Sequence, residues 1–157
     1  MNLYLMRHAD ACNDAGNPLS PQGRQDAEKI GLFFASRKIV LDTICHSTKL
    51  RAKETAEIIA PHAGCENAVV ETEGIGPLDD AVRWAERLQS IERDMMFVSH
   101  MPFLPKLFSA LVCGYADENS VQFPTAAVVC IRRLSVGVWV LQWMVTPALL
   151  GEKGFDP

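Results

Sequence analysis

Residues 3–10 read LYLMRHAD. The apolar run from Leu3 to Met6 is the mark a short buried strand leaves in a sequence, and it stops abruptly at Arg7 and His8. Those two residues are therefore expected at the carboxyl end of a strand. In open α/β sheets ligands bind outside the carboxyl ends of the strands, so the placement bears on function as well as fold.

The same pattern recurs along the chain. LDTIC (residues 41–45) predicts a second strand, residues 68–71 a short third, and MMFVS (95–99) a fourth that ends at His100. Helical signals lie between them. Ser20 followed by Pro21 reads as an N-cap with proline in the first turn, and Ala27, Ile30, Gly31 and Phe34 give that helix one apolar stripe. Ser47 or Thr48 is expected to cap a second helix carrying Ala52, Thr55, Ala56 and Ile59 on one side. Leu78, Ala81, Val82, Ala85 and Leu88 predict a third, with Asp79 or Asp80 in its first turn, and Pro102 opens a fourth with Leu104, Leu107, Phe108 and Leu111 inward.

Alternation of strand and helix predicts an α/β fold: three layers, α/β/α, around a mostly parallel sheet of about six strands. Residues 126–131 and 138–145 flank a turn containing Gly137 and are expected to pair antiparallel. Trp139 and Trp143, four apart in the last strand, are expected on one face, and Arg132 with Arg133 at a solvated strand end.

Bulk composition narrows the partners. At 157 residues the chain is the size of one domain, expected to span 1–157 and to bury roughly 70% of its unfolded surface. A net charge of -4 gives no electrostatic reason to bind nucleic acid or an anionic membrane. No apolar run approaches the roughly 20 residues of a membrane span, and residues 1–10 lack the features of a signal peptide. The five cysteines are scattered without a CxxC pair, which argues against a zinc site or a disulfide framework and for a reducing, cytoplasmic setting. No metal or cofactor is expected.

Four side chains fall at the predicted crevice: Arg7 and His8 after the first strand, Arg51 one turn into the second helix, and His100 after the fourth strand. Two guanidinium forks, two imidazoles and nearby helix N-termini suit an oxyanion, with a phosphoryl group as the natural guest. Cys45 and Arg51 also stand five residues apart in CHSTKLR, the spacing of a thiol phosphatase loop. That segment lacks the glycine such a loop needs to curl around phosphate, and Cys45 ends an apolar run, so it reads as a buried strand cysteine.

MRHAD (6–10) resembles the RHG signature of the histidine phosphatase, or phosphoglycerate-mutase-like, superfamily, with Ala9 in place of glycine. LSPQGRQDAEKIG (19–31), STKLRAKETA (47–56) and FVSHMPF (97–103) are similar to that superfamily's later blocks, in order. Chain length, RHAD and the compact SHMPF block resemble the SixA-type phosphohistidine phosphatases most. The resemblance implies that His8 is the nucleophile, that Arg7 and Arg51 clamp the phosphoryl oxygens, and that His100 stabilises the transferring group. It implies a protein substrate bearing phosphohistidine, such as a histidine-phosphotransfer domain or a phosphocarrier, with inorganic phosphate as product.

The general acid is open. Asp79 and Asp80 lie in the right region but read more readily as a helix N-cap and first-turn acid, whereas Asp10 follows the RH pair, placed to orient Arg7 or His8, and Asn13 with Asp14 sit in a loop at the rim. Thr125 is a candidate phosphate donor, His46 is expected to hold a local hydrogen bond, and His62 to cap a helix end. A small-molecule phosphomonoesterase of the same superfamily and a catalytically silent phospho-binding module are the alternatives.

Overall fold

The structure, a computed structural model, describes residues 1–151. Strands β1 (Asn2–Arg7), β2 (Thr43–His46), β3 (Val69–Glu71), β4 (Met95–Ser99), β5 (Val128–Ser135) and β6 (Val138–Val145) form one sheet in the order β3-β2-β4-β1-β5-β6. The first four are parallel, and β5 pairs antiparallel with both β1 and β6. One strand of the six therefore runs against the rest, and the mixed sheet is the one expected.

Side chains along each strand alternate between two cores. Tyr4 and Met6 of β1, with Ile44, Met96 and Val98, face helices α1 (Pro21–Ser36) and α2 (Leu50–Ile59). Leu3 and Leu5, with Met95 and Phe97, face α3 (Ala81–Arg87) and α4 (Phe103–Val112). The predicted stripes of α1, α2 and α4 are all buried, because residues spaced at the helical period share one side.

The caps are mixed. Ser20 Oγ accepts the Gly23 N–H at 2.9 Å, as its sequence context predicts, and Asp80 caps α3 through Val82 N and Arg83 N. Neither Ser47 nor Thr48 caps α2: its N-cap is Lys49, which makes no side-chain cap bond. Leu78 precedes α3 and is 91% exposed, so the apolar spacing there overran the helix.

Three further expectations fail for tertiary reasons. Trp143 stands opposite Cys130 and Leu141 opposite Ile131, leaving Gln142 as an extra residue in β6. The bulge reverses the alternation, so Trp139 packs in the α3/α4 core and Trp143 against the α1/α2 core. Arg133 is buried rather than solvated; its guanidinium donates to Leu88 O at 2.9 Å and also reaches Gln89 O and Glu92. His62 follows α2 in a short 3-10 turn, lies against Gly31 of α1 and pairs with Glu28 at 2.9 Å, so it ties two helices together.

Candidate active site

Three neighbouring parallel strands end at the same height. Arg7 of β1 is in register with Ser99 of β4, and His46 of β2 with Val98, so the next residues, His8, His100 and Ser47, emerge side by side. Backbone bonds fix that level: His8 N donates to Ser99 O at 3.0 Å and Ser47 N to Val98 O at 3.2 Å. The two imidazole rings lie 4.9 Å apart between centroids, inclined at 50°.

Arg51, in the first turn of α2, bridges them. Its Nε donates to His8 Nε2 at 3.1 Å and its Nη2 faces His100 Nδ1 at 3.3 Å. The other nitrogen of His8, Nδ1, lies 2.7 Å from the Ala9 carbonyl oxygen. A carbonyl only accepts and a guanidinium only donates, so Nδ1 carries the proton and Nε2 presents its lone pair to the crevice.

Electrostatics agree with that assignment. Burial foremost, and then the cations Arg51 and Arg7, lower the His8 pKa to about 4 against the opposing Ala9 hydrogen bond. Burial likewise leads the causes that lower His100 to about 3, followed by His8, Arg51, Lys49 and Arg7. Both rings are neutral at pH 7.

Arg7 donates through Nη1 to Phe123 O at 2.8 Å. Its Nε is the buried side-chain polar atom, among the described residues, that lacks a hydrogen-bond partner. Burial and the neighbouring Arg51 lower its pKa below the ordinary arginine value. Thr125 arrives in the turn before β5, and the next residue, Ala126, donates its N–H to His8 O at 3.2 Å. Ala126 holds a left-handed φ of 59°, a conformation a β-carbon disfavours, in the turn that is tied to the His8 backbone.

The remaining candidates make no hydrogen bond to His8, Arg51 or His100 among the described residues. Asp79 accepts from Gly76 N at 2.6 Å and Asp80 caps α3, so both carboxylates are engaged by backbone N–H groups of their own segment. Asp10 accepts from Ser20 Oγ at 2.6 Å, which anchors the loop after β1 to α1. Asn13 and Asp14 are exposed in that loop. Cys45 packs in the α3/α4 core with its thiol pKa raised by burial, on the opposite side of the sheet from α2 and Arg51. His46 is buried and donates from Nδ1 to Ser47 O at 2.8 Å, the local bond expected of it.

Two contributors escape the sequence. Thr55 accepts the Ala9 N–H at 3.1 Å and donates to Arg51 O at 2.7 Å, joining the segment after His8 to the helix that carries Arg51. Ser47 Oγ lies 2.6 Å from His100 Nε2. The signal for Ser47 was its place two residues past the predicted strand 41–45, on the edge of the sheet where His8 and His100 also fall.

Residues 3–75, from β1 through the Arg51 segment, match the model of the histidine phosphatase superfamily (branch 1). That match covers just under half of the chain and includes Arg7, His8 and Arg51 but not His100. Among curated proteins the chain is 23% identical to the phosphohistidine phosphatase SixA of Escherichia coli K12, over 96% of each chain. A 65-residue stretch, 39% of this chain and 23% of the relative, is 37% identical to the mitochondrial serine/threonine-protein phosphatase PGAM5 of Mus musculus. Among solved structures, the protein histidine phosphatase SixA complexed with tungstate superposes with a TM-score of 0.86 at 22% identity, covering 96% of this chain and 99% of that one. A SixA-like protein from Agrobacterium tumefaciens follows at 0.75 and 21%, covering 93% and 97%. The fold is thus the one seen in those SixA structures.

Proposed function

We propose that this chain is a metal-independent phosphatase that removes phosphate from protein phosphohistidine, with His8 as nucleophile. The observation that carries the reading is the His8 ring itself: Nδ1–H is held by Ala9 O, and the neutral Nε2 lone pair faces the guanidinium of Arg51. The end-to-end likeness to a phosphohistidine phosphatase supports the choice of substrate.

In the first step Nε2 of His8 forms a bond to phosphorus as the bond to the substrate nitrogen breaks, in line, and the substrate imidazole departs. In the second, water attacks the phosphorylated His8, releasing inorganic phosphate and restoring the free ring. Arg7 and Arg51 neutralise the phosphoryl oxygens, and His100 donates a hydrogen bond once the dianion offsets the burial that keeps it neutral. Thr125 supplies a further donor from the β5 turn. The leaving group needs little help: an imidazole with its other nitrogen protonated has a conjugate pKa of about 6.5. That fits a site where Asp79 and Asp80 are engaged by backbone N–H groups and Asp10 by the Ser20 hydroxyl.

The substrate side chain is expected on a folded phosphotransfer domain or phosphocarrier, in the cytoplasm, where the free cysteines stay reduced. No helix of the described residues is long and apolar enough to cross a membrane. The test is release of inorganic phosphate from a histidine-phosphorylated phosphotransfer domain in the presence of EDTA. The native protein should release it and His8→Ala should not. Faster turnover of sugar or nucleoside phosphates than of the phosphoprotein would select the phosphomonoesterase reading instead, and binding without turnover the silent module.

A further inference from the structure

Ser47 stands one residue past β2 and has no part in the scheme above. Its backbone is pinned on both sides, by Ser47 N to Val98 O at 3.2 Å and by His46 Nδ1 to Ser47 O at 2.8 Å, and the residue is 1% exposed. What remains is the hydroxyl, 2.6 Å from His100 Nε2. On the far side of that ring Arg51 Nη2 meets Nδ1. Since the guanidinium can only donate, Nδ1 holds a lone pair, Nε2 holds the proton, and Ser47 Oγ is its acceptor.

The geometry points to Ser47 as a positioning residue for phosphoryl transfer: its hydroxyl anchors His100 by Nε2, so that Nδ1 is the nitrogen turned to the phosphoryl group. This rests on the phosphatase reading. Arg51 sets the tautomer of the ring by donating to Nδ1, and Ser47 sets its plane by holding Nε2–H, whereas a ring held at one nitrogen alone is free to turn. A phosphoryl oxygen arriving at Nδ1 requires a hydrogen there. His100 gains one by taking up a proton, and the resulting imidazolium keeps its Nε2–H on Ser47, so the buried wall need not rearrange when the charge arrives.

The groups facing His100 are Arg7 at the end of β1, His8 just after it, and Arg51 with Lys49 from the start of α2, none of them anionic. They oppose that proton until the dianion is present. Binding of a phosphate analogue should therefore take up a proton.

Nuclear magnetic resonance of the ring nitrogens in phosphate-free native protein near pH 7.5 tests the anchor directly. A single Nε2–H tautomer for His100 is expected; an Nδ1–H ring, or a mixture, would overturn the proposal. In Ser47→Ala, Arg51 still selects the Nε2–H tautomer but the ring plane is no longer held, and kcat for phosphate release should fall about 10–100-fold. Affinity for vanadate, which resembles the five-coordinate transition state, should fall by a similar factor, and affinity for phosphate by much less. Unchanged kcat and vanadate affinity with the protein folded would sink the idea. If the native protein released no phosphate from any substrate, the phosphatase reading would fail, while the ring spectrum and the vanadate-to-phosphate ratio would still decide the role of Ser47.

Discussion

Arg51 gives one donor to each of two histidines, Nε to His8 and Nη2 to His100, from a single planar fork. A lysine ammonium in its place keeps the charge but cannot reach both rings in one geometry. Arg51→Lys is therefore expected to lower kcat for phosphate release by about 10²–10³, the usual loss when one preorganised donor is removed from a charge-stabilising site, with little change in thermal stability. At this scale the sequence was informative about place, where a residue's position follows from the end of its own strand, as for Arg7, His8 and His100. It was silent where the role depends on what lies opposite. Ser47 reads as a helix cap in one dimension, yet its hydroxyl faces a ring brought in by residue 100, and Thr55 reads as helix interior although it holds the Ala9 peptide.

Helix α1 is fitted to its neighbours through two glycines that differ in what stands against them. A β-carbon on Gly23 would overlap the backbone carbonyl of Asp10, which cannot retreat without moving the segment that carries His8. A β-carbon on Gly31 would meet the ring of His62, a side chain free to swing away at the loss of its pairing with Glu28. Each substitution gains about 1 kcal/mol of helix propensity. Urea unfolding should show Gly31→Ala within about 1 kcal/mol of native, whereas overpacking at Gly23→Ala should cost about 1–3 kcal/mol net and reduce turnover as well. The elements themselves were mostly legible, because apolar runs and helical stripes are local patterns. The orientation of Trp143 was not, since one unpaired residue, Gln142, turns it to the opposite face, and nothing in the period of β6 marks that residue as extra.

Over the whole molecule, two buried neutral histidines make stability depend on pH. His8 and His100 have pKa values lowered to about 4 and about 3, whereas in the unfolded chain both titrate near 6.5. Above pH 6.5 neither state binds these protons and no penalty exists. Below it the unfolded chain binds more protons than the folded one, so stability falls as pH drops toward 4, with a limiting slope of about 1.4 kcal/mol per pH unit for each histidine. Thermal melts should show Tm decreasing over that range, less steeply in His100→Asn, and phosphate should restore part of the loss by favouring the imidazolium. A Tm–pH slope identical in native and His100→Asn would refute the assignment. The sequence by itself determined the strand and helix order, the side of the sheet on which the chemistry gathers, and the four residues that gather there, because apolar periodicity and strand-end position are written locally. Only the tertiary structure decided which nitrogen of each histidine is free, which hydroxyl holds it and which acids are already engaged, because those are fixed by partners far apart in the chain, where a hydrogen bond's direction follows from the group across the gap.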